Sequence, residues 1–124
     1  MSTGHKTWVI AGGHIPLRTT GDEPEFSSRD ELCLLNTGDR PAKIFIMVYH
    51  ETKPPTGPYK IELKAECVRH VRFNDLVDPL PLSLDTDFAA VVTSDMPIVV
   101  QFTRMDTSEK ILAGFTTMAF AADT

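Results

Sequence analysis

Carboxylates crowd one short stretch of this chain. Asp75, Asp78, Asp85 and Asp87 lie on either side of Asp78-Pro79-Leu80-Pro81, with Asn74 next to the first of them. Oxygen ligands on a loop are what calcium takes. Asn and Asp beside proline are also the residues that build turns, by bonding their own backbone. A third reading joins them to cations. Arg72, Asn74 and Asp75 end one expected strand, Asp85 and Asp87 begin another, and Gln101, Arg104 and Asp106 finish a third. Arg–carboxylate forks at strand ends pin loops together. The same groups can bind the hydroxyls of a small polar ligand, with Trp8 or Tyr59 as a stacking plate. The candidate ligand-binding set is therefore Trp8, Arg72, Asn74, Asp75, Asp87 and Arg104, read first as a structural clamp and second as a site.

Other chemistry is thinly represented. The sequence has no Gly-rich phosphate loop, zinc-protease His pair, nucleophile elbow or paired-Cys knuckle. Gly12-Gly13-His14 follows an expected strand, but no helix comes after it to offer an N-terminal dipole, so it reads as a plain turn. His5, His14, His50 and His70 show no ligand spacing on a single strand face. These readings lead us to expect a non-enzyme, without cofactor, catalytic residues or metal.

The chain has 124 residues, 42% of them hydrophobic and 23% charged, as in an ordinary globular domain. A chain of this length buries roughly 60–70% of its unfolded surface, which suffices for one core without staples. We read residues 1–124 as a single domain. The net charge of −5 argues against a sequence-independent grip on nucleic acid, which needs Lys and Arg to displace phosphate counterions. Lys64, Arg69, His70 and Arg72 could seed a basic patch, yet alternating strand positions do not all face one way. Cys33 and Cys67 fall in apolar strand-like runs and are expected to be buried thiols. The N-terminal apolar run is too short for a signal sequence, and the longest apolar segment, Ile44–Tyr49, is far shorter than the ~20 residues a bilayer needs. A cytoplasmic, non-spanning protein is the expectation.

Short strand signals recur between Gly, Pro, Asn and Asp: Thr7–Ala11, Leu32–Asn36, Ala42–His50, Tyr59–Lys64, Cys67–Phe73, Phe88–Thr93, Ile98–Thr103 and Phe115–Ala121. Many such strands predict an all-β, antiparallel, jelly-roll-like β-sandwich, with an immunoglobulin-like arrangement as the alternative. Tyr59, Ile61, Leu63 and Ala65 should face in, and Lys60, Glu62 and Lys64 out. Hairpins are expected around Ala65-Glu66 and at Asn36–Pro41, where Gly38 would supply a positive φ. Pro97 should open a strand that returns antiparallel to Phe88–Thr93, which would bring Arg104 near Asp87. Ser28-Arg-Asp-Glu matches a capping box but reads as a loop entering a strand, and Thr107-Ser-Glu-Lys could form one helical turn. Ile44–Tyr49 is apolar on both faces. With one face in the core, Phe45, Met47 and Tyr49 are left on the other, so they form the candidate oligomer interface.

One long block, His70–Arg104, reads HVRFNDLVDPLPLSLDTDFAAVVTSDMPIVVQFTR. With Trp8-Val-Ile-Ala-Gly-Gly, Gly21-Asp-Glu-Pro-Glu-Phe, Cys33-Leu-Leu-Asn-Thr-Gly-Asp and Gly57-Pro-Tyr, it closely resembles the sensory rhodopsin transducer family of small soluble bacterial proteins. The tail from Asp106 onward matches less well. The resemblance implies a β-sandwich, a homotetramer and a cytoplasmic signalling or adaptor role, relaying a receptor signal from a membrane photoreceptor to soluble targets. The family fold is also similar to carbohydrate-binding modules. The alternative is thus a sugar-like small-molecule binding module with a regulatory role, since a shared fold does not transfer function.

Overall fold

The computed structural model describes residues 3–16, 28–107 and 113–122. The strands are β1 (His5–His14), β2 (Arg29–Asn36), β3 (Ala42–His50), β4 (Thr56–Leu63), β5 (Cys67–Arg72), β6 (Asp87–Asp106), β7 (Ala113–Met118) and β8 (Phe120–Ala121). One 3-10 turn, Phe73–Asp75, follows β5. Every pairing is antiparallel. β4-β3-β6-β1-β8 form one sheet, here called the first, and β5-β2-β6-β7 form the second. The result is an antiparallel β-sandwich.

The two sheets share β6. Phe88–Ser94 pairs with β3, while Val99–Met105 pairs with β2. The expected break at Pro97 is therefore absent: Phe88–Thr93 and Ile98–Thr103 run on as one 20-residue strand, and the second does not return beside the first. Proline ends a strand where its missing N–H would be needed. Here Pro97 lies between the last β3 pair, Ile44 with Ser94, and the first β2 pair, Leu35 with Val99. A register shift in β1 between His5 and Thr7 spans the same corner. Even-numbered residues stay on the buried face throughout, from Phe88, Ala90 and Val92 to Ile98, Val100 and Phe102. The strand bends without changing phase.

Two expected hairpins are instead crossings between the sheets. β2 pairs with β5 and β6, and β3 with β4 and β6, so neither Asn36–Pro41 nor Ala65-Glu66 joins paired strands. Gly38 is not in the left-handed region; Glu66 is, with a φ of 55°. A buried side chain ties the two crossings together. Asn36 Nδ2 donates to the Arg40, Leu63 and Lys64 carbonyls at 2.8, 3.4 and 3.3 Å, and Oδ1 accepts from Gly38 N–H at 2.9 Å. Glu66 N–H reaches the Gly38 carbonyl at 3.1 Å. Turn residues mark where a chain bends, and they do not encode which sheet it enters next.

Alternation fixes the core as expected in β3 and β4. Ile44, Ile46 and Val48 face in with Tyr59, Ile61 and Leu63, whereas Lys60 and Glu62 are exposed. Ser28-Arg-Asp-Glu does lead into a strand, β2. The cysteines are not buried. Leu32 and Leu34 take the inward positions of β2, which turns Cys33 outward to a half-buried site, and Cys67 is exposed at the start of the edge strand β5. The helical turn expected over Thr107–Lys110, and the Gly21–Phe26 block, fall largely or wholly outside the described residues.

Candidate functional site

The sandwich carries a polar network where β2 begins and β1 and β6 end, and an apolar outer surface on the first sheet. The network begins with the alternation of β2. Asp30, Leu32, Leu34 and Asn36 all face inward, and Asp30 is fully buried. A buried carboxylate requires partners, and the register supplies one by placing Arg104 of β6 directly opposite. Arg104 Nε donates to Asp30 Oδ1 at 2.9 Å and Nη2 to Oδ2 at 3.0 Å, a two-pronged fork. His14 backbone N–H donates to the same Oδ2 at 2.6 Å, and Arg104 Nη2 also reaches the Gly12 carbonyl at 2.6 Å. The guanidinium sits 5.7 Å from the ring centroids of both Phe102 and Phe115. Its hydrogen bonds to Asp30 hold its pKa above the ordinary arginine value; partial burial opposes this, and the fields of Asp30, Asp106 and Asp87 add to it.

Next to this fork, His14 stands between two aspartates. Its Nδ1 lies 2.8 Å from Asp87 Oδ1 and its Nε2 lies 3.6 Å from Asp85 Oδ1. Asp85, with a φ of 55°, donates its backbone N–H to the Ile15 carbonyl at 2.8 Å. Asp87 also borders a hollow of about 260 Å³ whose other walls are His50, Glu51, Thr52, Lys53, Ser83 and Thr86. His50 bonds Thr56 Oγ1 at 3.1 Å. Partial burial, and then the neighbouring Lys53, lower its pKa from the usual imidazole value.

The six expected ligand-binding residues do not form one constellation. Arg104 and Asp87 join the network just described. Arg72 pairs with Asp75 instead, Nε to Oδ2 at 3.2 Å, and Asn74 Nδ2 donates to the Ser28 carbonyl at 3.0 Å. Parity separates the two groups. Arg104 is paired in register with Asp30, and Arg72 with the next residue, Glu31, so the two arginines leave the second sheet on opposite faces. Trp8 is buried in the core, and its Nε1–H reaches the His5 and Ile98 carbonyls, both at 3.0 Å. Tyr59 is buried too, its hydroxyl bonded to the Leu80 carbonyl. Neither ring is free to stack on a ligand. Asp30 and His14 lie outside the expected set. Asp30 was legible as a charge on the apolar phase of β2, whereas His14, the last residue of β1, joins through its register opposite Asp87, a long-range pairing that no local pattern carries.

The second feature is the outer surface of the first sheet. Phe45, Met47 and Tyr49 point away from the core, as the alternation of β3 requires. The registers line Met47 up with Val91, Val91 with Val9, and Val9 with Phe120, a row of apolar side chains across β3, β6, β1 and β8. Phe45, Tyr49 and Phe120 remain 37%, 43% and 71% exposed. Exposed apolar patches are uncommon on the surface of a single globular subunit.

The family model for the Anabaena sensory rhodopsin transducer matches residues 3–121 of the chain. Among solved structures, the Anabaena sensory rhodopsin transducer is 49% identical, with a TM-score of 0.78 over 86% of this chain and 92% of that one. The crystal structure of Thermotoga maritima 1070 is 27% identical, with a TM-score of 0.82 over 94% of each chain. No curated protein matches the chain. Among the described residues no helix is long and apolar enough to cross a membrane.

Proposed function

The chain belongs to the sensory rhodopsin transducer family, and we propose that it is a non-catalytic, cytoplasmic signalling adaptor that works as a homotetramer and relays the state of a membrane receptor through protein–protein contacts. The observation that carries this reading is the apolar row Met47, Val91, Val9 and Phe120, flanked by Phe45 and Tyr49. Closed symmetry lets one such patch serve every subunit. An adaptor needs to present surfaces and needs no reacting groups, which accords with Arg104, Asp30 and Trp8 being occupied in holding the sandwich together.

Light scattering on the purified chain should give four subunits per particle, and a 13.8 kDa particle at micromolar concentration would refute the assembly. Met47→Lys should dissociate the tetramer by placing an unpaired charge in the interface, while its circular-dichroism spectrum stays that of the parent. For the relay, vesicles carrying a retinal-binding sensory receptor should retain the chain differently in light and in darkness. Equal retention in both, at concentrations where the tetramer is intact, would remove a photoreceptor from the reading.

A second reading rests on the hollow beside Asp87. Its walls offer carboxylates from Glu51 and Asp87, the Lys53 ammonium, and hydroxyls from Thr52, Ser83 and Thr86, groups suited to a small polyhydroxylated ligand. A sugar-like compound that binds there raises the melting temperature, and Asp87→Asn should abolish the rise. A library of such compounds giving no shift in the parent chain would exclude this reading.

A further inference from the structure

The outer surface of the second sheet carries a cluster that neither the network nor the apolar row uses. Alternation in β2 turns Glu31 and Cys33 to that surface, and the β2–β5 register sets His70 directly opposite Cys33. One carboxylate oxygen, the thiol sulfur and one imidazole nitrogen of these residues all lie within 4.8 Å of one another. Glu31 and Cys33 are half-buried, and the His70 side chain is 58% exposed, so the triangle is backed by the sheet and open to solvent on one side. Arg29 Nε lies at ion-pair distance from Glu31 Oε2, 3.6 Å, and Glu31 Oε1 lies 4.0 Å from His70 Nδ1. Behind the thiol, Thr103 Oγ1 is 3.7 Å from Cys33 Sγ and 2.9 Å from Thr116 Oγ1.

We propose that Glu31, Cys33 and His70 form a binding site for one divalent transition-metal ion of the zinc class. A tetrahedral ion with bonds of about 2.0–2.3 Å draws its ligand atoms to about 3.3–3.8 Å apart. The present spacing, within 4.8 Å, exceeds this by about 1 Å, a distance of the order that side-chain rotation covers. The donor set decides the class of metal. Sulfur and imidazole nitrogen disfavour calcium and magnesium, which take oxygen, while a single sulfur among nitrogen and oxygen suits zinc better than a thiolate-seeking monovalent copper. On binding, the Cys33 thiol loses its proton to solvent, and neutral His70 gives a ring-nitrogen lone pair. The thiolate and the Glu31 carboxylate then balance the charge of the dication. Three protein ligands leave a fourth position for water or an incoming donor atom.

The test uses the untagged 124-residue chain, stripped with chelator and titrated with zinc and with cobalt. Zinc should raise the melting temperature and saturate at one ion per chain, and cobalt should develop a thiolate-to-metal charge-transfer band. Cys33→Ser should abolish the band, Cys67→Ser should leave it intact, and His70→Ala should weaken binding at least ~100-fold, beyond what loss of a mere supporting group costs. Saturating zinc should also slow alkylation of Cys33 in the parent chain while Cys67 is labelled at its usual rate, a readout independent of how the variants fold. Cobalt binding without a thiolate band, a band that follows Cys67, or equal alkylation of Cys33 with and without zinc would each overturn the proposal.

Discussion

Arg104 and Arg72 sit opposite consecutive residues of the same strand, Asp30 and Glu31, yet they live in different physical worlds. Arg104 follows the inward phase of its strand and meets a fully buried carboxylate in a fork, with Gly12 and two phenylalanine rings closing around it. Arg72 follows the outward phase, and its Nε donates to Asp75, whose side chain is 61% exposed. Each is an arginine near the end of its strand, β5 for Arg72 and β6 for Arg104. One residue of register makes one a keystone between β1, β2 and β6 and the other a surface pair. In a sandwich the value of a charge is set by parity before it is set by chemical type.

The largest effect should come from breaking the inward pair. Arg104→Met keeps the bulk and removes the charge, leaving buried Asp30 with only the His14 N–H as partner among the described residues. Removing one member of a buried ion pair costs about 3–5 kcal/mol; because Arg104 is partly exposed, about 3 kcal/mol is expected from urea denaturation. The double change Asp30→Asn with Arg104→Met keeps an acceptor for His14 without the charge, so it should recover about 1 kcal/mol of that loss. If the double variant is less stable than the single one, the carboxylate is not the group that suffers.

Asn36 extends the comparison to an uncharged inward group. Its amide bonds both sheet crossings at once. Asn36→Ala should cost about 2–3 kcal/mol, the price of leaving carbonyls and a buried N–H without partners. Hydrogen exchange sharpens the point: protection should fall at Gly38 and Glu66 before it falls in β6. Uniform loss of protection would mean that the crossings are held by the strands alone.

Much of this molecule was legible in its sequence, and the failures have a common cause. The alternation of β3 and β4 correctly gave which residues face in and which lie outside, and the family resemblance stood on residues that span the chain. What alternation cannot encode is connection between distant segments. Gly38 and Ala65-Glu66 were visible as bends, but a bend within one sheet and a bend between two sheets use the same residue types. Pro97 was visible as a strand breaker, but its missing N–H falls at a corner where neither β3 nor β2 requires one. The expected six-residue constellation failed for the same reason. Asp87 and Arg104 do share one end of the fold, reached through a bent β6 and not through a returning strand, while Trp8 was taken by the core and Arg72 fell on the far side of the sheet.

The pair of Arg72 with Asp75 gives the smallest expected effect and the sharpest control. An exposed Arg–Asp pair gains little Coulomb energy in water and holds two side chains in one geometry to get it, so such pairs are worth about 0–1 kcal/mol. Breaking this pair from its exposed side, with Asp75→Asn, should therefore lower stability by less than about 1 kcal/mol, and the loss should shrink further as salt is raised, because exposed charges are screened over about 10 Å at 0.1 M ionic strength. Arg104→Met should keep most of its cost in the same salt series, since its partner is out of reach of the ions. Two parallel salt dependences would break the comparison, for they would mean that both arginines feel the same solvent and that register has not separated them. A salt-insensitive loss well above 1 kcal/mol for Arg72→Ala would instead point to Glu31, its registered neighbour on β2, as a second and better-shielded partner.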